Sequence, residues 1–97
     1  MKRIEKYQFM MEGSMVHLKL PKGAKIIQVG PDHENNECVW VEFDSKNSDN
    51  LIPRTLEVFS DGHLVPPLST HVISFRSKDA MWHIYDHGEV LPALGRH

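Results

Sequence analysis

Residues 25–44, KIIQVGPDHENNECVWVEFD, decide how the rest of the chain is read. Two apolar, β-branched runs, Ile26–Val29 and Cys38–Phe43, flank Gly30-Pro31-Asp32-His33-Glu34-Asn35-Asn36, a linker built almost wholly of turn formers. The stretch therefore reads as a β-hairpin. Its strands carry apolar residues on both faces, which predicts a place inside a sandwich with neighbours above and beside.

Towards the N-terminus, Ile4–Met10 and Met15–Leu20 read as two strands joined into a hairpin by Met11-Glu12-Gly13-Ser14. In the second, Val16, Leu18 and Leu20 alternate with His17 and Lys19, so one face is buried and the other wet. Pro21-Lys22-Gly23 makes a turn. Beyond the central hairpin, Asp44–Asn50 is a polar loop, and Arg54–Phe59 alternates with Leu56 and Val58 on one face. Ser60-Asp61-Gly62-His63 ends that strand with an Asp-Gly turn pair. Leu64-Val65-Pro66-Pro67-Leu68-Ser69 cannot be a central strand, because consecutive prolines remove two ladder donors; it reads as an extended surface crossover. A last hairpin pairs Thr70–Arg76 with Ala80–Asp86 through Ser77-Lys78-Asp79, leaving residues 87–97 as a tail outside a domain of residues 1–86. The expected fold is all-β: a single-domain antiparallel β-sandwich or flattened barrel of about seven short strands.

At 97 residues the chain has material for one core only. Its 40% apolar and 25% charged residues are those of an ordinary folded domain. Met1–Lys6 has basic residues with no apolar run behind it, and no stretch approaches the roughly 18 apolar residues of a spanning helix, so a cytoplasmic location is expected. Cys38 is the only cysteine, which excludes an internal disulfide and a four-cysteine zinc site; in its apolar run it reads as a buried, inert thiol. The net charge of −2 is unevenly spread: residues 1–30 carry +4, residues 31–50 carry −5 and residues 51–97 carry −1. Neither a DNA-mimicking surface nor a nucleic-acid footprint follows from such values.

Several blocks recur in a familiar order: Ile4-Glu5-Lys6-Tyr7, Leu20–Val29 (LPKGAKIIQV), Val39-Trp40-Val41-Glu42, Gly62-His63 and Met81–Asp86 (MWHIYD). Together they resemble an uncharacterised family of small β-rich proteins encoded in phage and prophage genomes, over residues 1–86. Where that family has a Gly-Thr-Gly-His-like turn, this chain has Ser60-Asp61-Gly62-His63, so only the last two positions match. The resemblance implies a phage setting and brings no catalytic residues.

Seven histidines are the one compositional oddity, and His63, His71 and His83 are the set that topology could bring nearest to one another. His71 is expected opposite Tyr85 and His83 opposite Ile73, which makes the two histidines diagonal neighbours on one face. No third ligand follows from spacing, so no metal and no other cofactor is expected. Ser60, Asp61 and His63 lie too close together in one turn to aim at a common reacting atom. Glu34, Glu37, Glu42 and Asp44 fall in or beside an open loop with nothing to raise a pKa. The glycines stand singly rather than in a phosphate loop, and no enzyme is expected. Trp40 and Trp82 are expected to anchor the core, while Tyr7, Phe9 and Phe75 are candidates for an exposed docking edge.

The function expected is that of a non-catalytic, phage-encoded interaction protein, which binds a host protein in the host cytoplasm and inhibits or redirects it. The acidic cluster Asp32, Glu34, Glu37, Glu42 and Asp44, taken as one end of the sandwich, is the expected partner surface. Two alternatives stand beside it: a protein that sequesters a nucleotide signal with Arg54, His63, Arg76 and His83, and a minor structural or regulatory homo-oligomer. Neither membrane nor direct nucleic-acid contact is expected.

Overall fold

Alternating apolar positions become eight strands in the computed structural model, which describes residues 1–89: β1 (Lys2–Gln8), β2 (Met11–Glu12), β3 (Met15–Pro21), β4 (Lys25–Pro31), β5 (Glu37–Asp44), β6 (Leu51–Ser60), β7 (Thr70–Ser77) and β8 (Ala80–Glu89). Among the described residues the helical content is one 3₁₀ turn at Ser45–Asn47, capped by the Asp44 carboxylate, which accepts from the Lys46 N–H. The strands form two antiparallel sheets, one of three in the order β1-β5-β4 and one of five in the order β2-β3-β6-β8-β7. No helix among the described residues is long and apolar enough to cross a membrane.

The central hairpin is β4–β5, and β5 is the middle strand of its sheet. Val39, Val41 and Phe43 of β5 face Val16, Leu20, Leu56 and Ile84 of the other sheet, and all of them are buried. Trp40 belongs to the opposite parity. It is half-buried on the outer face of the three-stranded sheet rather than a core anchor, directly across from Lys6 and Gln28.

The N-terminal hairpin of the sequence reading does not form. β1 pairs with β5 along its whole length, from Lys2 opposite Asp44 to Gln8 opposite Cys38. The chain then changes sheets at Phe9-Met10, and the two-residue β2 makes the tight hairpin with β3. The period-2 pattern was sound, but alternation marks a buried face and does not say which strand is the neighbour.

The boundary expected after Asp86 also moves. β8 runs to Glu89, and one extra residue at His87-Gly88 forms a bulge opposite the step from Arg54 to Leu56. Gly88 adopts φ 87°, open to glycine and strained for other residues. Of the expected tail, residues 87–89 continue β8, and residues 90–97 lie outside the described residues.

Beside this bulge sits a buried ion pair. Arg54 of β6 and Asp86 of β8 are each about 10% exposed at the side chain, with Arg54 Nη2 donating to Asp86 Oδ2 at 2.7 Å and Nε donating to Oδ1 at 3.1 Å. The Gly88 N–H donates to the same carboxylate at 2.8 Å, so the bulge completes the site. Removing one partner strands the other as a buried charge. Arg54→Leu is expected to cost about 3–5 kcal/mol of unfolding free energy, and the double variant Arg54→Leu/Asp86→Leu much less than the sum of the single losses. Urea unfolding of the four proteins in the cycle checks this, and additive losses would show that the two side chains are not coupled.

Candidate functional site

The acidic residues do not form one surface. Asp32 tips the β4–β5 hairpin, whereas Glu42 and Asp44 lie five and seven residues beyond Glu37 on an extended strand, about 17 and 23 Å away towards the other end of the sandwich. Glu42 faces Lys2 at 3.6 Å, and Asp44 is occupied as the 3₁₀ cap. Asp32 is turned inwards, with its side chain 5% exposed. Its Oδ1 accepts from the backbone N–H groups of Glu34 and Asn36, both at 2.9 Å, and its Oδ2 accepts from Lys6 Nζ at 2.9 Å. Cys38 Sγ lies beneath this knot, 3.3 Å from the Asn36 carbonyl and 3.6 Å from Asp32.

The Lys6 ammonium, reinforced by those backbone donors, holds the Asp32 carboxyl well below the usual carboxylate range. Burial, together with the Asp32 charge, pushes the Cys38 thiol up and leaves it unreactive. Asp32 is thus the organiser of the hairpin tip, and of the expected partner residues only Glu34 and Glu37 are exposed with no ion-pair partner among the described residues.

The four residues of the nucleotide alternative do not converge either. Arg54 points into the sandwich, paired with Asp86. Arg76 and His83 lie on the outer face of the five-stranded sheet, opposite Met81 and Ser74 respectively, and His63 bonds to Ser60 in the turn after β6. Of the three candidate metal ligands, His71 and His83 do come together, though through a hydroxyl. A bulge at Val72 shifts the β7 register by one, so Ser74 and not Ile73 faces His83. His71 Nε2 and His83 Nδ1 each lie 2.7 Å from Ser74 Oγ, and His83 Nε2 lies 2.7 Å from the Asp61 carboxylate. A second relay runs alongside: Glu57 to His87 Nε2 at 2.8 Å, and His87 Nδ1 to Ser69 Oγ at 2.8 Å. Among the described residues no three His, Cys, Asp or Glu side chains are grouped to hold one metal ion.

Both relays have the acid–imidazole–hydroxyl composition of a hydrolase, so their surroundings decide what they do. Neither serine lines either of the two cavities that meet at Phe9 and Met11. Both relays instead reach the crossover between β6 and β7, Asp61 standing at its start and Ser69 at its end. They pin that loop across the outer face of β8. Two leucines are left standing free of it, Leu64 at 95% and Leu68 at 93% exposure.

The cavity lies on the inner side. At the end of the sandwich framed by the 77–80 turn, the tip of β4–β5 and the Phe9–Met11 link, the sheets part around about 810 Å³. Phe9, Phe75, Trp82, Val29, Ile73 and Ile84 form its walls, with Glu37, Lys78 and Asp79 the charged residues at its mouth. Trp82 therefore lines this cleft instead of closing a core. Lys78 holds φ 56° in the two-residue β7–β8 turn, an unusual backbone state for a side chain this long. No motif in the sequence signals the cleft, because a wall residue and a core residue have the same alternation.

With the geometry in place, comparison with known proteins gives one relationship. The profile of a domain of unknown function, DUF7352, matches residues 1–92. The chain belongs to the DUF7352 family. The match passes Asp86, as does β8, so the DUF7352 domain includes residues the sequence reading assigned to a tail. No curated protein and no solved structure matches this chain.

The Asp32 knot makes a testable contribution to stability. Its folded-state pKa is below the unfolded value of about 3.9, so the stabilisation is present in full above that value and is lost progressively as pH falls from there through the lower folded-state pKa. Thermal melts are expected to show Tm declining below about pH 4, and Asp32→Asn is expected to lower Tm at neutral pH while flattening that acid limb. Equal Tm values for wild type and Asp32→Asn at neutral pH would contradict the assignment.

Proposed function

We propose that the DUF7352 domain is a non-catalytic interaction protein that docks on a protein partner through the crossover of residues 61–69. The observation that carries this is the exposure of Leu64 and Leu68, 95% and 93%, on a loop fixed to the sheet at both ends by side-chain hydrogen bonds. Apolar side chains on a scaffold that is already ordered lose little entropy on binding, and they gain from leaving water. Isolated exposed leucines are common on protein surfaces; two at the same short, pinned loop form a docking element.

The resemblance to phage and prophage proteins supports the finer reading: a phage-encoded protein in the host cytoplasm whose partner is a host protein, such as a defence nuclease complex or the transcription machinery, which it inhibits or redirects. The exposed leucines on a loop held at both ends favour binding over catalysis, and this reading includes no cofactor, no membrane and no direct nucleic-acid contact. The same leucines also favour, as a second reading, a homo-oligomer in which the crossover meets another copy of the chain.

Replacing both leucines separates these outcomes from a purely structural role. Leu64→Ser/Leu68→Ser is expected to leave Tm within about 4 °C of wild type, since neither side chain is packed, and surface changes are worth under about 0.5 kcal/mol. Wild type is expected to recover a host protein in stoichiometric amount, or to self-associate in light scattering, and the leucine variant is expected to lose whichever of the two wild type gives. Glu34→Gln/Glu37→Gln is expected to retain either. Equal recovery with the leucine variant removes the crossover from the interface.

A further inference from the structure

We propose that the cleft between the sheets is a binding site for a small aromatic cation, separate from the crossover. Its volume of about 810 Å³ falls within the several hundred to about 1,000 Å³ typical of small-molecule pockets, which lie preferentially in the mouths of β-barrels and similar structures. The site lies on the inner face of the five-stranded sheet, whereas the crossover lies on the outer face, so no molecule can fill its own cleft with Leu64 or Leu68.

The chemistry of the walls and mouth selects the occupant. Three aromatic rings, Phe9, Phe75 and Trp82, meet Val29, Ile73 and Ile84, a lining that favours a flat apolar body over a sugar or a phosphate. The faces of these rings are negative and attract a cation desolvated beside them. At the mouth two carboxylates, Glu37 and Asp79, outnumber the single ammonium of Lys78, and among the described residues neither carboxylate has an ion-pair partner. An anionic head group would be placed beside two like charges. A positive one would complete the site, and the acidic mouth would draw it in from solution. Of the acidic residues marked in the sequence, Glu37 is the one that faces this cleft.

The test uses the full chain with Trp40→Phe. Trp40 is on the outer face of the other sheet, so this leaves Trp82, in the cleft wall, as the sole tryptophan. Three flat aromatic probes are titrated against it: berberine as aromatic cation, N-phenyl-1-naphthylamine as neutral probe and 1-anilinonaphthalene-8-sulfonate as anion. The expected result is saturable one-to-one quenching of Trp82 by berberine, with affinity about tenfold above that for the anion. Glu37→Gln/Asp79→Asn should erase the preference for the cation while leaving the neutral probe bound. Phe75→Ala, at a ring already 39% exposed and so tolerant of loss, should weaken all three. The proposal is overturned by any of four outcomes: no saturable quenching, anion affinity equal to cation affinity, indifference to both variants, or probe affinity falling as protein concentration rises, which would mean that a second copy fills the cleft.

Discussion

The Arg54–Asp86 pair is the contact on which the five-stranded sheet depends. It joins β6 to β8 on the inner face, where an apolar pair would otherwise sit, and it carries the desolvation cost of two charges. That cost is offset only if the remaining hydrogen-bonding capacity is filled. Gly88 fills part of it, and it can do so because the β8 bulge turns its N–H back towards the carboxylate. Past the bulge, Glu89 accepts from the Gly23 N–H at 2.6 Å and ties the turn before β4 to the end of β8. One ion pair, one bulge and one turn thus hold this end of the sandwich shut.

The opposite face of the same sheet explains the histidines. β6 and β7 both run antiparallel to β8 and are therefore parallel to each other, so no hairpin can connect them and the chain must cross β8. A Leu64–Leu68 segment with two prolines makes that crossing, irregular up to Pro66 and then turning at Pro67-Leu68, where the Ser69 N–H donates to the Pro66 carbonyl at 3.1 Å; its backbone has no ladder to the sheet to hold it down. Imidazole suits the task because its two ring nitrogens point to opposite sides, so one ring on a strand can link a neighbour to a loop. His83 joins Ser74 to Asp61, and His87 joins Glu57 to Ser69. Both relays thus tie the crossover to the strands beneath it.

Much of this fold was legible because turn chemistry and alternation are local. The central and last hairpins, the Pro66-Pro67 crossover and the two-sheet, all-β class follow from residue order alone. What sequence could not supply was partnership and register. Met11–Ser14 looked like the loop of one hairpin, yet β1 found a longer partner in β5 and left only β2 to turn onto β3. The last strand was expected to stop at Asp86, because a glycine such as Gly88 that permits a bulge is indistinguishable by composition from one that ends pairing. The bulge at Val72 moved Ser74 opposite His83, and without that one-residue shift the hydroxyl joining His71 to His83 could not have been foreseen. The acidic run misled in a simpler way, since residues close in sequence are far apart once the chain between them is fully extended.

The cleft follows from counting strands. Five strands at about 4.8 Å spacing make a sheet roughly 10 Å wider than three, so the smaller sheet cannot cover the whole inner face of the larger. At the closed end, Val16, Leu20 and Leu56 find Val41 and Phe43 opposite, and the ion pair completes the layer. At the other end Ile73, Phe75 and Trp82 continue the apolar inner face beyond what the three-stranded sheet covers. Shortening β7 and β8 would remove this overhang, but it would also remove the outer-face anchors for the crossover, because Ser74 and His83 alternate with Ile73, Phe75 and Trp82 on the same two strands. The two candidate surfaces are therefore opposite faces of one hairpin, β7–β8.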